Sequence, residues 1–233
     1  MKRKWMLHSI YLLVILGVLF ALHFGSQSVT VISQHIPIVR EHCIVIDPGH
    51  GGIDGGATSC TGVLESNLNL EISLRLNDLF HLLGHDTCMI RTTDCSVYTS
   101  GDSIAQKKIS DLKQRVKMVG EIANPVLLSI HQNTFPDGKY SGAQVFYGKA
   151  GNSKTLANQL QSSLVNHLNP GSNRKEKQAT GIYLMEHIQC TGVLIECGFL
   201  SNVREEQLLR TSDYQKELCV VVAATVCSFL SNT

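Results

Sequence analysis

The sequence contains, at residues 44–52, the stretch Ile44-Val45-Ile46-Asp47-Pro48-Gly49-His50-Gly51-Gly52. A run of β-branched residues bounded by Pro and Gly predicts a short buried strand that ends in a tight turn. Glycines on both sides of His50 relax the backbone and leave space around its imidazole. His50 is therefore a candidate metal ligand, although a histidine that merely tolerates the turn explains this stretch alone equally well.

Two later stretches repeat this pattern of an apolar run that ends in a metal-binding side chain. Residues 126–133 read VLLSIHQN and contain His131, and residues 192–202 read GVLIECGFLSN and contain Glu196. In an open, mostly parallel sheet, ligands bind beyond the carboxyl ends of the strands. Three such strands would bring His50, His131 and Glu196 to one crevice.

These side chains meet the requirements of a catalytic zinc site. Such a site takes three protein ligands from His, Asp, Glu or Cys and keeps a fourth position open for water. His50 and His131 could be two of the ligands, and Glu65 and Glu196 are the carboxylate candidates for the remaining roles. Glu65 begins a helical stretch, where a carboxylate is also favoured by the helix dipole without any other function. Glu196 ends an apolar strand, which is costly for a carboxylate that is neither paired nor exposed.

Four ordered motifs together resemble the zinc-dependent N-acetylmuramoyl-L-alanine amidases of the type-3 amidase family. They are DPGHGG at residues 47–52, Glu65 with Asn67 and Leu68, SIHQN at 129–133, and ECGFLSN at 196–202. The resemblance extends from Cys43 to the C-terminus. It implies an enzyme that hydrolyses the bond between N-acetylmuramic acid and L-alanine of the stem peptide in peptidoglycan.

The resemblance also implies a role for individual residues. His50, Glu65 and His131 would bind one Zn²⁺ per chain, and Glu196 would assist catalysis. Two further residues are candidates for contact with the substrate or with the ligands, namely Arg91 and Asn133. Arg91 matches a recurrent arginine of the family, and a structural salt bridge is an equal alternative for it.

A finer resemblance concerns the sporulation amidases of endospore-forming bacteria. It rests on residues 141–147, which read SGAQVFY, and on Asn173-Arg174-Lys175. Those enzymes act on spore cortex, and the peptide-free muramic acid that they leave is the precursor of muramic δ-lactam. Gln132, where a small residue is usual, and Thr191-Gly192, where Pro-Ala is common, depart from the commoner family pattern and bear on substrate preference.

The N-terminus has the composition of a signal peptide or membrane anchor. Lys2-Arg3-Lys4 precedes an apolar run from Trp5 to Phe24, which is long enough to span a bilayer. The basic end would stay in the cytoplasm. We therefore expect a segment 1–25 that anchors or exports the chain, a linker 26–42, and a catalytic domain 43–233 outside the cytoplasmic membrane. The space around the developing spore is one candidate location.

The periodicity of residues 43–233 predicts a single α/β domain, with about six strands in a mostly parallel mixed sheet and helices on both faces. Apolar runs predict strands near residues 44–46, 87–90, 126–131, 143–147, 182–184 and 193–195. Apolar spacings of three and four predict helices near residues 68–83, 112–123, 156–168 and 214–229. The stretches 94–108 and 173–177 are predicted loops, and Arg115 and Lys117 are predicted to be solvated.

Cysteine usage leaves the redox state open. The chain has eight cysteines, an even number that is compatible with disulfides in an exported domain. Because no CxxC pair occurs, a structural zinc ribbon is disfavoured. Four cysteines in apolar stretches are predicted to be small core residues, namely Cys43, Cys88, Cys219 and Cys227. A Cys197 nucleophile is disfavoured because the zinc pattern explains the same stretch.

Partners and alternative functions follow from the same residues. The formal net charge of +1 and the absence of a basic patch or a nucleic-acid-binding module in the sequence exclude nucleic acid as the expected partner. The expected partners are peptidoglycan strands with stem peptides, the membrane through the N-terminal segment, and a candidate accessory protein that restrains the enzyme. A zinc peptidase acting on the stem peptide, a wall-binding module without catalysis and a membrane-tethered interaction protein are the alternatives.

Overall fold

The computed structural model describes residues 42–233. Within this range, six strands form one sheet and six helices cover it. The strands are β1 (Cys43–Pro48), β2 (Thr87–Met89), β3 (Pro125–Asn133), β4 (Gln144–Tyr147), β5 (Lys177–Gln178) and β6 (Thr191–Phe199). The helices are α1 (Glu65–Leu82), α2 (Ile104–Gly120), α3 (Ser153–His167), α4 (Tyr183–His187), α5 (Val203–Leu209) and α6 (Ser212–Leu230).

The described residues begin at His42, the last residue of the predicted linker 26–42. The rest of that linker and the predicted N-terminal segment 1–25 lie outside them. Between residues 42 and 233, no helix combines the length and the hydropathy needed to cross a membrane.

The sheet has the strand order β2-β1-β3-β6-β4-β5. The first four of these strands are parallel to one another, and β4 runs antiparallel to β6. The prediction of a mostly parallel mixed sheet is therefore confirmed. Since β1, β3 and β6 are adjacent and parallel, their carboxyl ends meet at one edge of the sheet, which is where ligands bind in such folds.

Helices cover both faces of the sheet, as predicted. Successive side chains of a strand point to opposite faces, so that Ile44 and Ile46 belong to the core on the side of α1, α3 and α6 while Val45 packs on the side of α2 and α4. Helix α6 packs against α1 and α3 rather than directly on the sheet. Gly84 follows the end of α1 with a φ of 85°, the left-handed conformation expected of the glycine that ends a helix.

One of the six predicted strands, residues 182–184, does not form, and β5 is present instead. Residues 182–184, predicted to be a strand, enter α4 instead, and the edge strand β5 lies within and just beyond the predicted loop 173–177. Leu184, Met185 and Ile188 are buried, and this spacing along the chain is helical rather than alternating.

Helix α2 begins within the stretch predicted to be a loop. Its first residue is Ile104, because Ser103 caps the helix by accepting a hydrogen bond from the Gln106 N–H while the Gln106 side chain accepts from the Ser103 N–H. This reciprocal arrangement satisfies two backbone donors at the helix start.

All eight cysteines lie in the described part of the chain, and each is a free thiol. Cys219 is buried as predicted, whereas Cys43, Cys88 and Cys227 are only partly buried. Cys197 is also buried, and burial raises the pKa of its thiol far above the usual value. A thiol held in its neutral form is a poor nucleophile, which agrees with the expectation for Cys197.

Candidate metal centre and active site

Three predicted ligands converge at the carboxyl edge of the sheet. One ligand atom each from His50, Glu65 and His131 lies within 4.8 Å of the other two. Glu65 stands between the imidazoles, with Oε2 3.2 Å from His50 Nε2 and Oε1 2.9 Å from His131 Nδ1. Two imidazole nitrogens and one carboxylate oxygen are a donor set that catalytic zinc sites use, so the residues present fit this ion.

The turn that carries His50 has an unusual backbone. His50 has a φ of 60°, and Gly51 and Gly52 have φ values of 127° and 58°. The left-handed region is readily accessible to glycine but uncommon for a histidine. Non-glycine residues held there concentrate at functional sites, where surrounding contacts stabilise them.

Glycines make room for the ligands in a way that differs from the prediction. The missing side chain of Gly49 makes room for the His131 ring rather than for His50, because a Cβ at Gly49 would lie 2.2 Å from His131 Nε2. A Cβ at Gly56 would lie 2.5 Å from Glu65 Oε2 and 2.7 Å from His50 Cδ2. The close approach of the backbone at these two positions allows the three ligand side chains to converge.

The substitution Gly49→Ala is expected to displace the His131 ring and to weaken zinc binding by at least about 10-fold, the lower end of the cost of disturbing groups around a metal ligand. Competition with a chromophoric chelator measures this change. Gly120→Ala is the matched control, since a Cβ at Gly120 meets nothing within 4 Å. An unchanged zinc affinity in the Gly49→Ala variant would contradict the prediction.

Charges around the site orient His50. Its Nδ1 lies 2.9 Å from Asp54 Oδ2, and Asp54 in turn pairs with Lys108. Burial alone would lower the pKa of His50, but hydrogen bonds and charge from Glu65 and Asp54 outweigh burial and raise it to about 9. Burial likewise opposes ionisation of Glu65, yet His131 and His50 hold its pKa well below the usual value. A carboxylate on the far ring nitrogen is the usual partner of a metal-binding histidine.

Glu196 lies beside this cluster on β6. It is paired with His131 in the parallel register of β3 and β6, so the two side chains point to the same face of the sheet. Among the described residues, Glu196 Oε2 is one of four buried side-chain oxygen atoms without a hydrogen-bond partner. Burial raises the pKa of Glu196 to about 7. A partly buried carboxyl whose pKa lies near neutrality is suited to accept and return a proton.

Arg91 holds the backbone of the site. It is buried, and its guanidinium donates to the carbonyl oxygens of Pro48, Gly49, Ser66 and Thr93. These bonds join the turn before His50 to the first turn of α1. Arg91 therefore orders this loop. The other secondary candidate, Asn133, lies at a β-bulge between β3 and β6 and outside the three-residue cluster.

Arg115 is not solvated, contrary to the prediction. It is only 3% exposed and donates to Asp47, to the carbonyls of Pro48 and His50, and to Asp111. Arg115 is four residues before Val119, so helical periodicity places both on the face of α2 that packs on the sheet. Lys117 is exposed, as predicted.

Sequence reasoning also missed Asp54 and Asn69. Asp54 follows His50 by four residues in the same loop. Asn69 follows Glu65 by four residues, and its Nδ2 donates to Glu65 Oε1 at 3.3 Å. Residues four apart on a helix are neighbours on one face, so this spacing was the available signal for Asn69.

Comparison with known proteins decides the family. A family model described as N-acetylmuramoyl-L-alanine amidase matches residues 44–228. The chain belongs to this family. It is an N-acetylmuramoyl-L-alanine amidase of the cell wall, as its relatives and structural neighbours also indicate.

Individual relatives resemble this amidase over most of its length. The germination-specific N-acetylmuramoyl-L-alanine amidase of Bacillus subtilis is 39% identical over 177 residues, which are 75% of this chain and 74% of the relative. The amidase LytC of the same species is 30% identical over 77% of this chain but only 33% of its own length. The CwlD amidase of Clostridioides difficile, solved in complex with the GerS lipoprotein, has a TM-score of 0.78 and 35% identity over 82% of this chain and 99% of that one.

Proposed function

We propose that this amidase is a zinc enzyme that removes stem peptides from spore cortex peptidoglycan, leaving peptide-free muramic acid as the precursor of muramic δ-lactam. The observation that carries the zinc chemistry is the convergence of His50, Glu65 and His131 beside the free carboxyl oxygen of Glu196. The cortex is supported by the similarity to the germination-specific amidase of Bacillus subtilis.

In this mechanism, His50, Glu65 and His131 would hold the ion. A bound zinc ion supplies Lewis-acid activation of water and of the substrate carbonyl. The Glu196 carboxylate takes a proton from the attacking water while the water oxygen bonds to the lactyl carbonyl carbon. The same carboxyl then gives the proton to the alanine nitrogen as the C–N bond breaks. Asp54 keeps His50 oriented through Nδ1.

The loop 134–142 supplies a surface for the substrate beside this centre. It connects the end of β3, which carries His131, to Gln144, which is paired with Glu196 across β4 and β6. Phe135 and Tyr140 on this loop are 48% and 39% exposed. We infer that they contact a sugar ring of the glycan strand.

This aromatic pair is held in place. The Phe135 and Tyr140 rings meet edge to face at 4.8 Å, and Tyr140 stacks on Phe199 at 6.3 Å. Hydrogen bonds from Phe135 N–H to Ser201 Oγ and from Asn202 Nδ2 to the Gly138 carbonyl tie the loop to the chain after β6. A surface ordered before binding loses little conformational entropy when the substrate arrives.

Removing either ring is expected to raise KM by roughly two- to tenfold with kcat retained, which corresponds to an aromatic contact of about 0.5–1.5 kcal/mol. Steady-state kinetics of Phe135→Ala and Tyr140→Ala on cortex fragments provide the measurement. Tyr183→Ala is the control, because it removes an aromatic ring from α4, outside the loop 134–142, where the ring stacks on His187. A fall in kcat at unchanged KM would contradict substrate binding by this pair.

The zinc content of the full-length chain tests the proposed chemistry. We expect about one zinc per chain by elemental mass spectrometry and little in the His131→Ala variant, since three protein ligands are needed. Mass spectrometry of digested cortex and vegetative peptidoglycan then identifies the products. Free stem peptides that begin with L-alanine, released faster from cortex, support the proposal. Cuts within the stem peptide would indicate a zinc peptidase, and zinc binding without turnover would indicate a wall-binding module.

The proposal extends to location and partner. The basic and apolar segment 1–25 supports export or anchoring, with the domain acting outside the cytoplasmic membrane. The CwlD amidase has been solved with the GerS lipoprotein, which supports an accessory lipoprotein for this chain as well.

A further inference from the structure

Asn69 occupies a fully buried position on α1, one turn after Glu65. It is 0% exposed, and its side-chain amide makes three hydrogen bonds. Nδ2 donates to the Gly49 carbonyl at 3.1 Å and to Glu65 Oε1 at 3.3 Å, and Oδ1 accepts from Gln132 Nε2 at 3.2 Å. The amide therefore uses its donors and its acceptor within the protein.

Each partner of Asn69 belongs to a segment that carries a proposed zinc ligand. Gly49 precedes His50 at the end of β1, Glu65 is itself a ligand, and Gln132 follows His131 on β3. The amide thus joins the carboxyl ends of two strands to the first turn of a helix.

We propose that Asn69, braced by Gln132, is a positioning residue of the metal centre that fixes the orientation of the Glu65 carboxylate and the spacing of the three ligand segments. The inference rests on the proposed zinc site and extends it to residues that do not contact the ion or the substrate.

The hydrogen bonds of Glu65 show how the positioning works. Oε1 accepts from Asn69 Nδ2 and from the Gln132 N–H at 3.1 Å, and Oε2 accepts from the Ala57 N–H at 2.9 Å. Donors on both oxygens prevent the carboxylate from rotating about its bond to the side chain. Groups around a metal site that orient its ligands in this way contribute to its affinity.

The chemistry of the amide matters as much as its place. A carboxylate at position 69 would lack both donors and would place a second negative charge against Glu65. A leucine has a similar volume but neither donates nor accepts. Asparagine is neutral, so it supports Glu65 without competing for the cation.

The test is the zinc affinity of the full-length chain, measured by competition with a chromophoric chelator. We expect Asn69→Leu to raise the zinc dissociation constant by about 10- to 100-fold. Gln132→Met should also raise the zinc dissociation constant, but by a smaller factor. The loss of zinc-binding free energy in the double variant should be less than the sum of the losses in the two single variants. At saturating zinc the Asn69→Leu variant should keep its KM, because Asn69 is fully buried and presents no surface to the substrate.

Asn77→Leu is the matched control. It is the same substitution on the same helix two turns further on, where Asn77 Oδ1 accepts from the Thr87 hydroxyl. This variant should bind zinc as the parent does, whatever its effect on the melting temperature of the metal-free chain.

The outcomes separate this inference from the proposed function. A parent that binds no zinc overturns the proposed zinc site and the inference with it. Variants at positions 69 and 132 that bind zinc as tightly as a zinc-binding parent, while the metal-free chain melts at a lower temperature, overturn the inference alone. If Asn69→Leu does not fold, the zinc affinity of Gln132→Met decides.

Discussion

Replacing Glu196 with glutamine is expected to lower kcat by about 10²- to 10⁴-fold, the usual contribution of general acid–base catalysis. Zinc content should stay at the parent value, because Glu196 lies outside the cluster of three ligands. The amide keeps the volume and one oxygen of the side chain but can no longer accept and return the proton. The loss should therefore fall on kcat and leave KM nearly unchanged.

The measurement combines zinc content with steady-state kinetics on defined muropeptides. Glu217→Gln is the control, since Glu217 is exposed on α6, far along the chain from the proposed ligands. Full activity in a zinc-loaded Glu196→Gln enzyme would falsify the proton-transfer role and leave the zinc site untouched.

Replacing Arg115 with methionine is expected to lower the free energy of unfolding by about 3–5 kcal/mol, the cost of leaving one member of a buried ion pair without its partner. Asp47 is 1% exposed and would keep only its hydrogen bond from Ser129. The carbonyl of His50, whose backbone φ is 60°, would also lose its donor. Urea denaturation with the metal removed measures the change.

Lys117→Met provides the matched control two residues further along α2, where the side chain is 66% exposed. It should change the free energy of unfolding by less than about 0.5 kcal/mol. A loss below about 1 kcal/mol for Arg115→Met would mean that the buried pair contributes little, as exposed pairs do.

The stability contributed by the Asp47–Arg115 pair should depend on pH. Burial alone would raise the pKa of Asp47, but Arg115 and Ser129 outweigh burial and lower it from 3.8. A carboxyl with a lowered pKa contributes stability that is fully present above its unfolded value and is lost as pH falls through the folded value. The difference in stability between the parent and Arg115→Met should therefore be full at pH 7 and shrink as pH falls through 3.8 toward the lower pKa of the folded protein. Denaturation curves at several pH values provide the check, and a constant difference would contradict it.

The convergence of His50, His131 and Glu196 is predictable because central parallel strands are recognisable as β-branched runs. Once the strands are parallel and adjacent, their carboxyl ends meet without further information. The place of Glu65 among the candidate ligands depends on the family motif, because a carboxylate in the first turn of a helix has an ordinary explanation in the helix dipole.

The groups that support the ligands are not predictable in the same way. Arg115 contacts Asp47, which is 68 residues away in the chain, and nothing in an amphipathic helix shows where one arginine will find a partner. The edge strand β5 has two residues, both exposed and polar, so it carries no alternating pattern. The apolar run 182–184 is too short to distinguish strand from helix by periodicity.

The ligands come from chain segments that are far apart, which determines when the ion can bind. Glu65 and His131 are 66 residues apart, and Asp47 reaches Ser129 across 82 residues. Contacts of such separation slow folding and are absent from the unfolded chain. Zinc bound at the proposed site would therefore stabilise the native state by mass action rather than nucleate its formation. Under the proposed zinc chemistry the chain would fold first and acquire its metal afterwards, so that the metal would come from the compartment in which folding ends.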